Sequence, residues 1–196
     1  MHVLIACEHT GTVRDAFKRL GHDAVSCDIL PTETPGPHYQ GDVRDILNVK
    51  RATGPSWDLM IAHPPCTHLA SSGARWFKDK AKEQAEALAF VRLLMDAPIL
   101  KIAIENPVGV ISTQICKASQ YIQPWQFGHP EAKKTGLWLQ GLPLLEATDV
   151  LPLPESGRWE NQTPSGQNKL GPSPDRWKLR SATYTGIANA MAQQWG

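Results

Sequence analysis

The sequence predicts an α/β domain with a mostly parallel sheet and helices on both faces. Apolar segments of strand length alternate with amphipathic segments of helix length through about the first two-thirds of the chain, and such alternation favours a parallel sheet. The length of 196 residues suits one domain with its own core, spanning 1–196.

Each predicted element follows from the spacing of apolar residues. The segment 79–96 has the clearest helical period, with Asp79 as a candidate cap and Pro98 just beyond its end. A weaker strand and a short helix are expected around the turn at 41–43. The other elements are strands at 2–7, 23–28, 57–63 and 99–105 and helices at 12–20 and 185–195.

The pattern changes after about residue 120. The segments 121–127 and 135–139 are predicted to form two strands of a hairpin around a polar loop. Residues 141–180 are rich in Pro, Gly, Asn and Ser, which predicts long ordered loops or a small insertion.

Composition describes a globular chain, with 41% apolar and 20% charged residues. The net charge of +1 gives no electrostatic argument for nucleic-acid binding. Local basic clusters at 78–82 and 176–180 are explained equally well as solvated surface. No apolar run approaches the roughly 18 residues of a membrane span. The first segment has none of the features of a signal peptide, so we expect a cytoplasmic location.

The four cysteines are widely spaced and form no Cys-x-x-Cys pair. This spacing argues against a zinc site and against a disulfide scaffold, and we expect no bound metal. Cys7 and Cys27 end apolar runs and are predicted to be buried core thiols, whereas Cys66 follows a Pro-Pro step.

Polar side chains follow the predicted strands at the edge where ligands bind in open parallel sheets. Carboxylates there suit a nucleoside, since they accept hydrogen bonds from ribose hydroxyls and from an adenine amino group. Gly11 opens the first helix and is predicted to let a cofactor approach the backbone closely. The residues concerned are Glu8 to Gly11, Asp28, Asp42, His63 to Cys66, and Glu105 with Asn106.

The segment His63-Pro64-Pro65-Cys66 is the most specific of these. A Pro-Pro step after a buried strand fixes a rigid, extended turn that holds Cys66 at the mouth of the sheet. Two nearby histidines, His63 and His68, are positioned to favour a thiolate if charged. A buried thiol in a structural turn is the alternative, and it stays open at this point.

Glu105, at the end of the next strand, adds a second chemical group. Cytosine C5 becomes nucleophilic only after a thiolate adds to C6 while an acid hydrogen-bonded to N3 takes up the developing charge. A cysteine and a glutamic acid on adjacent strand ends provide covalent activation and acid assistance. A carboxyl group that stays protonated near neutral pH requires a desolvated pocket.

With these residues in view, the sequence resembles the DNA cytosine-C5 methyltransferases, especially the short phage and prophage forms. Pro64-Pro65-Cys66 is similar to the family's Pro-Cys nucleophile motif, and Glu105-Asn106-Pro107-Val108 to its Glu-Asn-Val motif. The resemblance implies a Rossmann-like class I S-adenosylmethionine-dependent methyltransferase fold. It also implies Cys66 as nucleophile and Glu105 as the N3 contact.

The same resemblance implies S-adenosyl-L-methionine as cofactor and double-stranded DNA with a flipped-out base as substrate. The segment 180–192 resembles the family's last motifs, although Gly186 and Asn189 are separated. The implied cofactor contacts are Glu8, Thr10, Gly11, Asp28, Asp42, Pro64 and Asn189, and the implied substrate contacts are Pro65, Asn106, Lys133 and Lys134.

The sequence departs from the family in two respects. Its Gln-x-Arg-x-Arg element is not visible, and Lys133 or Lys134 is the nearest substitute, unless both are simply solvated. No large target-recognition domain is present, and residues 141–180 are the only stretch with room for a minimal one. In amino-methyltransferases an aromatic residue follows the Pro-Pro step. This sequence has Cys66 at that position, which favours carbon over nitrogen as the methyl acceptor.

Two rival functions remain at this level. One keeps the cysteine-based chemistry but acts on RNA or a free pyrimidine nucleotide, or installs a larger one-carbon-derived group. The other is a catalytically degenerate paralogue that binds DNA or a protein. The recognition sequence and the oligomeric state are not predicted.

Overall fold

The structure is a computed structural model that describes residues 1–48, 56–71, 80–164, 169–171, 173 and 181–196. The predicted cap Asp79, the basic residue Lys78 and the basic cluster at 176–180 lie outside the described residues. Within the described residues, no helix has the length and apolarity needed to cross a bilayer.

The described elements lie close to the predicted ones. Strands are β1 (His2–Ala6), β2 (Asp23–Asp28), β3 (His38–Gln40), β4 (Leu59–Ala62), β5 (Lys101–Pro107), β6 (Gln120–Ile122) and β7 (Thr135–Gln140). Helices are α1 (Thr12–Arg19), α2 (Arg44–Leu47), α3 (Ala81–Met95), α4 (Ile111–Gln114) and α5 (Thr185–Trp195), with a 3₁₀ turn at Pro124–Gln126.

The seven strands form one sheet in the order β3-β2-β1-β4-β5-β7-β6. Strands β1 to β5 pair in parallel, and β7 runs antiparallel between β5 and β6. This order, with one antiparallel strand inserted next to the edge, is that of the Rossmann-like class I methyltransferase fold. The predicted fold class is therefore confirmed.

Two apolar layers hold the sheet between its helices. Alternate side chains of a strand point to opposite faces. Val3 and Ile5 of β1 therefore pack in the layer that contains α1 and α5, while Leu4 and Ala6 pack in the layer beneath α3. Because both faces are covered, β1 and β4 are apolar throughout rather than alternating, as expected for a central parallel strand.

The predicted hairpin at 121–139 forms, but as the edge of the main sheet. Ile122 pairs with Thr135, and β7 continues across to β5, where Leu137 lies opposite Glu105. Strand β6 ends at Ile122 because Pro124 starts the 3₁₀ turn. Residues 141–164 contain no helix or strand.

Arg14 on α1 is the largest buried charged side chain, with no exposed surface. Its guanidinium donates to Asp15 Oδ1 at 2.8 Å, Ser26 Oγ at 3.2 Å and Thr34 Oγ1 at 2.8 Å. Arg14 therefore fixes the loop after β2, which carries groups of the candidate site, to the first helix.

Replacement of Arg14 by Met is expected to lower the free energy of unfolding by about 3 kcal/mol, because several buried oxygens lose their donor. Urea denaturation measures this difference. Lys18→Met is the matched control, since Lys18 is exposed on the same helix, and its effect should stay within about 0.5 kcal/mol. Equal effects of the two substitutions would contradict the role of Arg14.

Candidate active site

A cavity of about 680 Å³ opens at the carboxyl ends of β1 to β4. It lies where the strand order reverses between β1 and β4, the position at which open α/β sheets bind ligands. Its volume is in the range of small-molecule sites. The wall includes Cys7, His9, Asp28, Ile29, Leu30, Asp42, Val43, Arg44, His63, Pro65, Cys66, Phe90 and Ser181.

One end of the cavity combines carboxylates with an apolar surface. Asp28 Oδ1 accepts the backbone N–H of Leu30 at 2.9 Å, which fixes the turn after β2. Asp42 accepts the side chain of Arg44 at 2.8 Å, and Arg44 lies over the ring of Phe90 at 5.2 Å from its centroid. Ile29 is 74% exposed. These groups form a slot that has two carboxylates, Asp28 and Asp42, beside the exposed side chain of Ile29.

The turn after β1 is organised around Glu8, which is almost fully buried. Its carboxylate accepts the backbone N–H groups of Val13 at 2.6 Å and Arg14 at 3.2 Å, so it caps the N-terminus of α1. Thr10 Oγ1 donates to the same carboxylate at 3.4 Å. The structure therefore uses Glu8 and Thr10 to build the turn, and neither lines the cavity.

Gly11 has a left-handed backbone with φ of 77°. A side chain there would collide with the Thr34 hydroxyl and the Arg14 guanidinium. The chain itself therefore fills the space beside Gly11, and the predicted contact of Gly11 with a cofactor stays a prediction.

The Pro-Pro-Cys segment forms a tight turn directly after β4. Pro64 is buried, whereas Pro65 and Cys66 line the cavity. The Cys66 carbonyl accepts the N–H groups of Leu69 at 3.0 Å and Ala70 at 2.9 Å, which closes the turn. The structure thus places Cys66 and Pro65 at the cavity, and Pro64 behind it.

Asn106 joins this turn to the end of β5. Its Nδ2 donates to the Pro64 carbonyl at 2.7 Å. Asn106 has no exposed surface, and this bond supports the cysteine turn. The predicted contact of Asn106 with substrate stays a prediction.

The loops that follow the cysteine and glutamate strands are also joined through their backbones. Ser71 N–H donates to Val108 at 2.9 Å, and Val110 N–H donates to Leu69 at 2.9 Å. Between them Ala70 and Gly109 form an antiparallel bridge, and a Cβ at Gly109 would collide with the Leu69 carbonyl. The two loops are therefore held against each other by backbone contacts.

Glu105 lies beside the cavity rather than in its wall, with 14% of its side chain exposed. Its Oε2 is 2.9 Å from Nδ1 of His63, which does line the cavity. Burial favours a higher pKa, but the hydrogen bond and charge of His63, the charge of Lys133 and a hydrogen bond from Thr135 outweigh it. The pKa of Glu105 falls below its ordinary value. The ligand-free chain therefore holds this carboxyl group ionised.

The two candidate lysines point to different environments. Lys133 Nζ donates to the Ala182 carbonyl at 3.3 Å and lies close enough to Glu105 to lower its pKa. Lys134 is exposed, with Nζ 4.7 Å from the ring centroid of Tyr121. Of the two, the structure brings only Lys133 to the site.

The segment around Lys133 is anchored on two sides. Tyr184 donates its hydroxyl hydrogen to Glu131 at 2.5 Å, and Asn161 accepts the Ala132 N–H at 3.1 Å. His129 Nε2 accepts the Gly186 N–H at 2.9 Å. These bonds tie the loop between β6 and β7 to the start of α5.

Asn189 does not reach the cavity. It is exposed on α5, where its Oδ1 accepts a hydrogen bond from Arg19 at 2.7 Å. The closing segment reaches the cavity through Ser181 instead. The separation of Gly186 from Asn189 in the sequence is the signal that this correspondence is weak.

One of the two cysteines predicted to be buried core thiols, Cys7, lies at the cavity instead. Cys27 is fully buried, and burial together with Asp28 and Asp42 raises its pKa to about 12. Cys7, predicted to be a core thiol, lines the cavity with a left-handed φ of 58°, and burial raises its pKa. No disulfide forms among the four cysteines, all of which are described.

Sequence reasoning did not identify His63 as the partner of Glu105, nor Ile29 and Phe90 as cavity residues. Ile29 could have been predicted, because it directly follows Asp28 at the carboxyl end of β2, the edge of the sheet where ligands bind. Nothing in the spacing connects Phe90 on α3 to β2 and β3.

Replacement of Glu105 by Gln is expected to reduce the acid sensitivity of the fold. An ionised carboxylate with a lowered pKa stabilises the folded state above the ordinary value of 4.5, and this contribution is lost as pH falls through the folded-state pKa. The stability difference between wild type and Glu105→Gln should therefore shrink between about pH 6 and about pH 3 in urea titrations. Glu86→Gln, at an exposed position, should show a much flatter difference, and a flat difference for Glu105→Gln would contradict the assignment.

No family model and no curated protein matches the chain. Two similar solved structures are a prophage protein of E. coli described as a DNA modification methyltransferase and a mutant of DNMT2 from Spodoptera frugiperda. The first is 14% identical with a TM-score of 0.47 over 78% of this chain and 52% of its own length. The second is 15% identical with a TM-score of 0.43 over 82% of this chain and 57% of its own length. The chain thus spans little more than half of either protein, and neither likeness is high enough to assign a function.

Proposed function

We propose that this chain is an S-adenosylmethionine-dependent methyltransferase that modifies C5 of cytosine in DNA. The observation that carries the proposal is the pairing of Cys66 with Glu105. Cys66 lines the cavity at the end of β4. Glu105 ends the neighbouring strand and contacts His63, which stands three residues before Cys66. A nucleophile and an acid-base group therefore flank one site at the ligand edge of the sheet.

The slot beside Asp28 and Asp42 fits the cofactor. Asp28 is half-buried at the end of β2 and suits ribose hydroxyls, while Asp42 suits an adenine amino group. The exposed Ile29 and the ring of Phe90 line the same space, and apolar side chains suit the faces of a purine. When bound, S-adenosylmethionine supplies an electrophilic methyl group.

Cys66 and Glu105 divide the activation of cytosine between them. The Cys66 sulfur, as thiolate, forms a bond to C6, and the electron pair of the C5–C6 double bond is displaced into the ring. Glu105, protonated once the base is bound, holds N3 by a hydrogen bond and stabilises the charge that develops there. C5 becomes the nucleophilic carbon that takes the methyl group. Solvent water takes the proton from C5, and the electron pair of that C–H bond forms the C5–C6 double bond as the Cys66 thiolate leaves.

Lys133 is the cation that we assign to the substrate side of the site. Its charge acts on Glu105, and its loop is fixed by Tyr184 and Asn161. A flipped-out base and its phosphate then meet a cation just before the start of β7, where the sequence lacks an arginine element.

Replacement of Asp28 by Asn is expected to weaken S-adenosylmethionine binding about 10-fold or more, because a charge-assisted acceptor becomes a neutral one. Isothermal titration calorimetry with the cofactor and with its demethylated product measures the change. Asp45→Asn is the control, since Asp45 is exposed and bonds Tyr39 outside the cavity wall. Unchanged affinity in the Asp28 variant would rule out the assigned cofactor slot.

Replacement of Cys66 by Ala is expected to abolish formation of 5-methylcytosine, because no other group adds to C6. Mass spectrometry of nucleosides from duplex DNA incubated with protein and cofactor gives the readout. Cys116→Ala, at an exposed cysteine, should leave the yield unchanged. Product on RNA or dCMP but not on DNA would support the proposed chemistry and show that DNA is not the substrate. Cofactor-independent DNA binding without product on any of them would favour the degenerate paralogue.

A further inference from the structure

His63 lies between two buried carboxyl groups at the wall of the cavity. Its Nδ1 is 2.9 Å from Glu105 Oε2, and 9% of its side chain is exposed. On its other side, the charge of His63 acts on Glu8, whose pKa is raised by burial despite that charge and the N–H bonds from α1. The imidazole therefore belongs to the site but has no role in the chemistry described above.

The surroundings of the two ring nitrogens determine the tautomer of His63. Nε2 is buried and has no hydrogen-bond partner within the described residues. The ionised Glu105 oxygen, 2.9 Å from Nδ1, can only accept a hydrogen bond, so the hydrogen of the neutral ring belongs on Nδ1. The favoured neutral tautomer therefore carries its hydrogen on Nδ1 and donates it to Glu105.

We propose that His63 is a positioning residue that holds the Glu105 carboxyl group toward the base. The inference rests on the proposed function, because the base that Glu105 contacts is the cytosine. The Nδ1 hydrogen bond holds the carboxyl group in one orientation.

The proton that N3 needs lies between the base and Glu105. Because an ionised carboxylate cannot donate to N3, one proton from solvent enters the site with the base. This proton moves from Glu105 to N3 when the Cys66 sulfur bonds to C6, and it returns to Glu105 when the thiolate leaves. His63 stays neutral throughout, and its Nδ1 hydrogen bond stabilises the carboxylate while the proton is on N3.

The charged groups around the pair come from four parts of the fold. Glu8 faces His63 from the turn after β1, and Lys133 faces Glu105 from the loop before β7. Thr135 donates to Glu105 from β7 itself, and Cys66 follows His63 on the same turn. Lys133 favours the ionised carboxylate, which accepts the hydrogen bond from His63.

Single-turnover methylation by two His63 variants tests the hydrogen bond to Glu105. His63→Ala removes this bond, and we expect the rate of methyl transfer to fall about 100-fold with unchanged cofactor affinity, because Glu105 is misplaced. His63→Asn keeps an N–H donor near the Nδ1 position, and we expect it to be about 10-fold faster than His63→Ala.

The outcomes decide the inference. A wild-type rate for His63→Ala overturns it, and so does a His63→Asn variant that is as slow as His63→Ala. His22→Asn is the matched control, since His22 lies between α1 and the start of β2, outside the cavity wall, and should retain the wild-type rate.

A second measurement does not depend on methylation. Nitrogen-15 NMR of the imidazole at neutral pH should show the Nδ1–H tautomer in wild type and its loss in Glu105→Ala. An Nε2–H tautomer in the wild-type protein overturns the inference. If the wild-type chain methylates no substrate but keeps the Nδ1–H tautomer, the proposed function fails while the His63–Glu105 proton contact stands.

Discussion

One buried hydrogen bond fixes the geometry of the candidate site. The Asn106 amide reaches across 42 residues of sequence to the Pro64 carbonyl and joins the end of β5 to the turn after β4. Because Asn106 is fully buried, an alternative position of the turn would leave a buried donor without a partner. The backbone bridge between Ala70 and Gly109 extends the same connection. Cys66 and Glu105 therefore keep one separation, set by the sheet and not by flexible loops.

Burial of polar groups follows a consistent division. Three buried polar residues form hydrogen bonds within the chain: Glu8, Arg14 and Asn106. These bonds stabilise the turns at the carboxyl ends of the strands. The groups left for a ligand are half-buried carboxylates and an exposed isoleucine. The scaffold is thus complete before anything binds, which lowers the ordering cost of binding.

The fold followed from periodicity because both faces of the sheet are covered, so each strand is a compact apolar run. Cys66 and Glu105 were placed on neighbouring strand ends for the same reason, and the structure agrees with that placement. The function of individual polar residues was harder to predict. Glu8 caps a helix and Asn189 binds Arg19, since side-chain partners depend on distances across the fold that spacing does not encode. The clearest example of a partner that spacing does not reveal is that of His63, which contacts Glu105 across 42 residues of sequence.

Helix α5 has a consequence for how the chain reaches its native state. Ile187, Met191 and Trp195 complete the apolar layer that begins with Val3 and Ile5, so the two ends of the described chain share one core. Contacts of such long sequence separation form late and slow folding. During synthesis the face of β1 covered by α1 and α5 stays incomplete until α5 has left the ribosome. Until then the nascent chain exposes an apolar face of the sheet to solvent, and such a face favours aggregation and binding by chaperones.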